Sequence, residues 1–337
     1  MLKKLAVYVL FLFTGVVAAQ TGGKYTYQFL NLISSPRQAA LGGRVITNYD
    51  YDVVQPLLNP ATLNDEMSNR LALNYVNYLG DVNYGSAAYA WRMKIGLFHG
   101  GVTYINYGNF DGRNEFGEAT GDFTGSEVAL SAGYAYHIPE SNFHIGANVK
   151  IISSALAQYN SFGGALDFGG VYLDSINRLN IALVVRNVGL QFSTYAGEWE
   201  RLPLEIALGI SQELKNVPIR WHVTLENLQD WNLAFSNPAR TEVTIDGEEI
   251  PEKVTAIKEF FRHLGIGAEL FPDSGFNIRL GYNFRRGEEL RILEQRNFSG
   301  LSAGFGIRIN KIRFNYTFAR YNVAANTSFF GLMINLR

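Results

Sequence analysis

The sequence contains no cysteine in 337 residues. That excludes disulfides, thiolate nucleophiles, cysteine-ligated zinc and an N-terminal lipid carried on cysteine. Charge is sparse as well. Lys, Arg, Asp and Glu make up 18% of the chain and leave a formal net charge of -1, which gives no electrostatic basis for binding nucleic acid or acidic partners. His99, His137, His144, His222 and His263 are scattered over separate segments without an HExxH pair, so no metal site and no cofactor is expected. Ser131, Ser211 or Ser302 beside a lumenal His is a coincidence expected in any polar lumen, and no enzymatic activity is expected. Finally, no apolar run beyond residue 19 approaches the ~20 residues that a membrane-spanning helix needs.

The first 19 residues have a layout of their own. Lys3 and Lys4 precede an apolar core from Leu5 to Val17, and Val17-Ala18-Ala19 stands before Gln20 as a small-residue cleavage site. This is the pattern of a secretory signal peptide; the rival reading, an anchoring helix, fails on length.

Glycine (34), phenylalanine (23) and tyrosine (19) are abundant, and their placement is informative between residues 276 and 318. Phe276, Ile278, Leu280, Tyr282 and Phe284 alternate with Asn277, Arg279, Gly281, Asn283 and Arg285; the runs 301–310 and 312–318 repeat the pattern. Period two means strands with one apolar and one polar face. Runs of about ten residues exceed ordinary strands and match the nine to eleven or so of a tilted strand crossing a bilayer. The polar face has no second apolar layer to cover it, so the expected architecture is an antiparallel transmembrane β-barrel with a polar lumen.

Alternation begins at residue 70 and continues to the end. Strands are predicted near 70–78, 83–92, 95–105, 125–137, 142–152, 161–173, 178–187, 202–212, 218–228, 260–271, 275–285, 298–309, 311–319 and 328–336, about fourteen in all. Alternate connections are short, and the others, including 106–124, 188–201 and 229–259, are mostly long. Barrels of the outer membrane have short periplasmic turns and long outer loops, which puts both termini in the periplasm. In loop 229–259 a short helix is predicted from Pro251 to Phe260, with Pro in its first turn. Residues 20–69 do not alternate. Their prolines, glycines and apolar side chains suit a packed segment inside the barrel or against its periplasmic mouth. The division is therefore signal peptide 1–19, plug segment 20–69 and barrel 70–337.

Inward charges need partners. Arg220, Glu226, His263, Glu269, Arg279, Arg308 and Arg313 fall on polar faces and are expected to form a lumenal charge network. Gly163-Gly164, Gly169-Gly170 and Gly304-x-Gly306 sit inside alternating strands rather than strand-turn-helix contexts, so they serve curvature or close approach of the plug rather than a nucleotide. Phe110, Phe116 and Phe123 in one outer loop, and Trp231 and Phe235 in another, are the apolar anchors that a partner-docking surface would use. Contact with lipid headgroups or packing between loops is the competing role.

The segment Ser34-Ser35-Pro36-Arg37-Gln38-Ala39-Ala40-Leu41-Gly42-Gly43, with Asn59-Pro60-Ala61-Thr62 after it, resembles the N-terminal signature of the PorV/PorQ group of Bacteroidetes outer-membrane proteins. Segments 73–78, 84–89, 202–206 and 218–228 are similar to its PorQ-like members, and that group is distantly similar to the fourteen-stranded FadL transporters. The resemblance covers nearly the whole chain after residue 19. It implies a non-enzymatic role in the type IX secretion system: holding a PorZ-like surface protein at the outer membrane, in an attachment complex with a PorU-like sortase and a PorV-like barrel that joins cargo to anionic lipopolysaccharide. It also implies an alternative, FadL-like passage of a hydrophobic small molecule. The glycine-rich run 161–173 would mark a wall defect in that case, although the assignable lumenal faces are charged rather than apolar.

Overall fold

The computed structural model describes residues 25–233, 242–243, 249–250, 255–290, 298–322 and 325–336. The predicted signal peptide lies outside them, as does Phe235. The strands are β1 (Arg70–Leu79), β2 (Val82–Met93), β3 (Gly96–Arg113), β4 (Ala119–His137), β5 (Phe143–Leu156), β6 (Tyr159–Asp174), β7 (Leu179–Ser193), β8 (Glu205–Glu213), β9 (Ile219–Leu225), β10 (Glu242–Val243), β11 (Glu249–Ile250), β12 (Leu264–Leu270), β13 (Phe276–Asn283), β14 (Leu301–Ile309), β15 (Ile312–Ala319) and β16 (Thr327–Asn335). Among the described residues three short helices are α1 (Pro36–Ala40), α2 (Ala256–Arg262) and α3 (Phe284–Glu289).

Apart from β10 and β11, which pair only with each other, the strands form one closed barrel of fourteen. Each lies beside its sequence neighbour, β9 pairs with β12, and β1 closes on β16 in register from Arg70–Asn335 to Asn77–Ser328. Closure leaves no edge whose N–H and C=O groups would face hydrocarbon unpaired. The alternation then sorts the side chains. Val149, Ile151, Phe276, Ile278 and Leu280 are exposed on the outer surface, while Asn148, Lys150, Asn277 and Arg279 are buried inside. A row of rings in contact, Tyr89–Trp91–Phe98–Tyr134, runs around the outside near the short turns, as expected of a membrane-interface girdle.

Strand boundaries depart from the periodicity in five places. Residues 106–113 and 119–124, expected in a long loop, extend β3 and β4 to 18 and 19 residues. Tyr107, Phe110, Thr120, Phe123 and Thr124 are strand-favouring residues in these extensions, with Phe110 directly opposite Phe123, and such pairs stabilise a hairpin well past the bilayer. β7 likewise runs on to Ser193. Residues 260–262, at the start of a predicted strand, are instead the end of α2, which Thr255 caps by accepting a hydrogen bond from the Lys258 N–H. It overlaps the predicted 251–260 over residues 256–260, and residues 251–254 lie outside the described residues. Phe284 and Arg285 similarly leave β13 for α3, capped by Asn283. β8 begins only at Glu205, because Pro203 has no N–H to give a ladder.

Residues 25–69 pass through the lumen as α1 and several single 3₁₀ turns. Helix α1 lies on the inner faces of β13 to β16, and the turn Pro60–Thr62 lies against β4, β5 and β6. The approach is closest where the wall has glycine. A Cβ on Gly281 would stand 2.0 Å from the Gly42 nitrogen, and Gly42 itself has φ 89°, a conformation that favours glycine. Inward-facing Gly163 meets Tyr27, Gly169 meets Asn59 and Gly304 meets Ala40. Replacing Gly281 with Val is expected to unseat the segment at Leu41–Gly42 and destabilise the barrel by about 1–3 kcal/mol. The unfolding temperature of the heat-modifiable band in detergent measures this; an unchanged temperature would mean the wall tolerates a side chain there.

Candidate functional site

The plug and wall are joined by two separate ionic clusters rather than the single network expected. The first is near the short-turn end. Arg37, from the first turn of α1, donates to both carboxylate oxygens of Asp50 at 2.8 and 2.7 Å and to Glu269 of β12 at 2.8 Å. Arg279 of β13 donates to the other oxygen of Glu269 at 2.7 Å and to Asn315 at 2.9 Å. Arg220 of β9 reaches Asp50 at 3.0 Å and Glu213 at 2.8 Å. Glu269 and Arg279 are fully buried, so each depends on the others to offset the loss of water.

The second cluster is at the outer end. Arg44 reaches Glu205 of β8 at 2.8 Å and Glu226 at 3.2 Å, and its backbone N–H also donates to Glu226. Arg186 of β7 completes it, donating to Glu205 at 2.6 Å and to the Leu30 carbonyl at 3.1 Å. Nearby, Lys150 meets Asp167 at 2.7 Å and Asn187 at 2.9 Å. Thus Arg220, Glu269 and Arg279 belong to one cluster and Glu226 to the other.

Three members of the expected network take other positions. His263 caps the end of α2 instead of lying on a strand; its ring nitrogens face the carbonyls of Glu226 and Trp231, and its ring stacks on Trp231 at 4.6 Å. Arg308 stands exposed at the mouth, opposite Arg313 in register. The Arg313 guanidinium lies over the Tyr51 ring at 4.1 Å, a cation–π contact rather than an ion pair. The network also has members that alternation could not indicate: Asp50, Asp52 and Arg44 lie in the plug, where no period assigns a face.

Each plug residue singled out from the sequence has a local task. The Ser34 hydroxyl donates to Ser86 at 2.8 Å, Ser35 precedes α1 as its N-cap residue, and Pro36 is the first helical residue. The carbonyls of Pro36 and Ala40 accept from Thr317 at 2.6 Å and Ser302 at 3.2 Å. Gly43 lies against the Glu226 carboxylate. Asn59 accepts from the Ala61 N–H, and its amide donates to the Ile46 carbonyl at 2.8 Å, turning the chain at Pro60.

The outer residues lie apart from all this. Phe116, at the tip of the β3–β4 hairpin, is 80% exposed, and Phe110 stacks on Phe123 at 5.2 Å. Trp231 has one face on His263 and remains half exposed.

Burial pushes the Asp50 carboxyl up, but Arg37 beside it and Arg220 outweigh burial and hold it well below the usual carboxylate range. At Asp52 burial prevails over Arg37, and that carboxyl is raised. Because the folded value of Asp50 is depressed, its stabilisation is complete above the ordinary Asp value of about 4 and is lost as pH falls through the folded value. Asp50→Asn is therefore expected to cost about 3 kcal/mol at neutral pH, with the gap to wild type closing on acidification below about pH 4. Glu269→Gln, which underpairs both Arg37 and Arg279, should cost about 3–5 kcal/mol, whereas Arg308→Gln should change stability by less than about 0.5 kcal/mol. Urea unfolding in detergent micelles, read by tryptophan fluorescence, checks all three.

No family model and no curated protein matches the sequence. Among solved structures, the Ralstonia pickettii toluene transporter TbuX is similar over 90% of this chain and 97% of its own, at 16% identity and a TM-score of 0.51. The KdgM porin (9% identity, 80% of this chain and 99% of its own, TM-score 0.31) and LpxR from Salmonella typhimurium (9%, 79% and 99%, TM-score 0.32) align more loosely. With its closed sheet, apolar exterior and N-terminal segment inside the wall, the chain is a fourteen-stranded outer-membrane-type β-barrel of FadL-like fold.

Proposed function

We propose that this barrel is a plugged, non-enzymatic anchor whose working surface is its outer rim. The observation that carries the reading is how the plug is tied. Tyr27 bonds Ser161 on β6, Ser34 bonds β2, Pro36 bonds β15, Ala40 bonds β14, Thr47 bonds Asn180 on β7 and Pro56 bonds Asn148 on β5. Bonds spread around the circumference, together with two buried ion clusters, resist displacement by a solute. A cavity of about 40 Å³ between plug and wall, bordered by Leu30, Gln38, Lys150 and Arg186, holds little more than a water or two. What the barrel offers a partner is then outside: the tall β3–β4 hairpin with Phe110, Phe116 and Phe123, and Trp231 on the opposite rim.

The sequence resemblance supplies the identity of that partner in this reading. It is a PorZ-like surface protein of a type IX secretion system, held near a PorU-like sortase and a PorV-like barrel. A pull-down of the tagged chain from solubilised outer membrane is expected to recover a soluble surface protein in near-equal amount. Joint replacement of Phe110, Phe116 and Phe123 by Ala should reduce that recovery at least about tenfold, as loss of aromatic hot spots does, without changing the heat-modifiable migration of the barrel. Recovery unaffected by the triple variant would overturn the assignment of the hairpin.

The comparisons speak more for a second reading, FadL-like passage of a small apolar molecule, because the similar fold belongs to a toluene transporter. The glycine-rich strand that such a path would use is β6. It is paired with β5 along its length and with β7 except at two irregularities, beside Phe162–Gly163 and Leu166–Phe168. Proteoliposome uptake of labelled toluene separates the two: uptake by wild type that rises when Asp50→Asn loosens the plug supports passage, and uptake equal to that of empty liposomes in both supports the anchor.

A further inference from the structure

The outer surface of the barrel carries a trough along β2. Outward positions of β2 run Asn83, Gly85, Ala87, Tyr89, Trp91, and Gly85 and Ala87 lie lower than their neighbours. Tyr75 and Tyr104 flank Gly85, and Leu73 and Val102 flank Ala87. At Tyr89, whose ring stacks on Trp91, the trough ends. From Asn83 to Ala87 it spans on the order of 13 Å of strand. Its volume is about 670 Å³, within the roughly 300–1,000 Å³ of ordinary small-ligand sites.

The outer end of the trough is built, not incidental. An irregularity in the β3–β4 ladder between Asn106 and Asn109 turns Gly108, with φ 81°, toward the β1–β2 turn, where Asp81 packs so closely that a Cβ on Gly108 would stand 2.6 Å away. The Tyr75 hydroxyl donates to the Asn83 side chain at 2.6 Å, and the Asn106 side chain accepts from the Gly108 N–H at 2.7 Å. The Asn106 amide also donates to the Tyr104 hydroxyl at 3.4 Å, so both tyrosine rings are tied to a rim of amides.

We infer that this trough binds the acyl chain of an outer-leaflet lipid whose headgroup carries hydroxyls rather than a phosphate. Continuity decides the occupant's class: the trough opens onto the apolar surface that already faces hydrocarbon, so a chain enters without leaving the membrane. Charge decides the headgroup. Among the residues lining the trough the sole formal charge is the carboxylate of Asp81, and the remaining rim groups include Asn83, Asn106 and Asn109. Amides donate to hydroxyls and accept from them, and a carboxylate accepts from them, whereas a phosphate seeks Arg, Lys or clustered N–H donors. The inference is independent of what docks on the hairpin.

Native mass spectrometry of the full chain in detergent, with added monogalactosyl diacylglycerol or phosphatidylglycerol, tests it. One galactolipid is expected to be retained at least tenfold more than the phospholipid. Ala87→Trp, an outward substitution that fills the trough, should lower galactolipid retention at least tenfold, and Val102→Trp serves the same purpose if the first variant fails to show heat-modifiable migration. Asn83→Leu should reduce the preference between the two lipids while leaving a chain bound. Equal retention by wild type and the filled variant, a preference for the phospholipid, or a second copy of the chain as the main adduct would each overturn the inference.

Discussion

A peptide group facing hydrocarbon without a hydrogen-bond partner is too costly to persist, and most of this structure follows from that constraint. An antiparallel sheet escapes it only by closing on itself, as β1 and β16 do here. Closure of fourteen strands in turn encloses a lumen too wide for the inward side chains alone to fill. Those side chains are polar, since the apolar set has been turned outward, and many carry charge. The plug fills the space and at the same time supplies their partners: Arg37 to Glu269, Asp50 to Arg220, Arg44 to Glu205 and Glu226.

The plug reads as irregular because it must satisfy a curved, polar wall rather than an apolar layer. Its carbonyls at Leu30, Pro36, Ala40, Thr47 and Pro56 all accept from inward-facing wall side chains. A regular helix would consume those carbonyls internally. Single turns separated by prolines leave them free, and wall glycines such as Gly281 admit the backbone where it comes nearest. Composition, conformation and anchoring of the segment are thus one arrangement.

The wall is lopsided. β3 and β4 run to 18 and 19 residues while β9 and β12 have seven each, so one side stands well clear of the membrane. On that tall side the outer face carries the trough along β2, and above it the hairpin presents its phenylalanines. The shorter side carries α2, α3 and Trp231 around the rim. The outer surface is therefore differentiated even though the lumen is closed.

The sequence by itself determined the barrel. Alternation of Phe276 through Phe284 against Asn277 through Arg285 requires a two-faced strand, and fourteen such runs joined by short connections that alternate with mostly longer ones permit little else. It also marked Arg220, Glu226, Glu269 and Arg279 as inward, because strand parity assigns a face to each residue. Parity ends where strands end, and there the sequence was silent. It could not show that 106–124 continues as hairpin, that the helix capped by Thr255 runs on into an expected strand, that Asn283 caps another within one, or that His263 leaves the lumen for Trp231. Nor could it pair Arg37 with Glu269, 232 residues away, or divide the charges into two clusters. Those partners are brought together only by closure of the sheet around the plug, and a contact created by closure has no local signature in the chain.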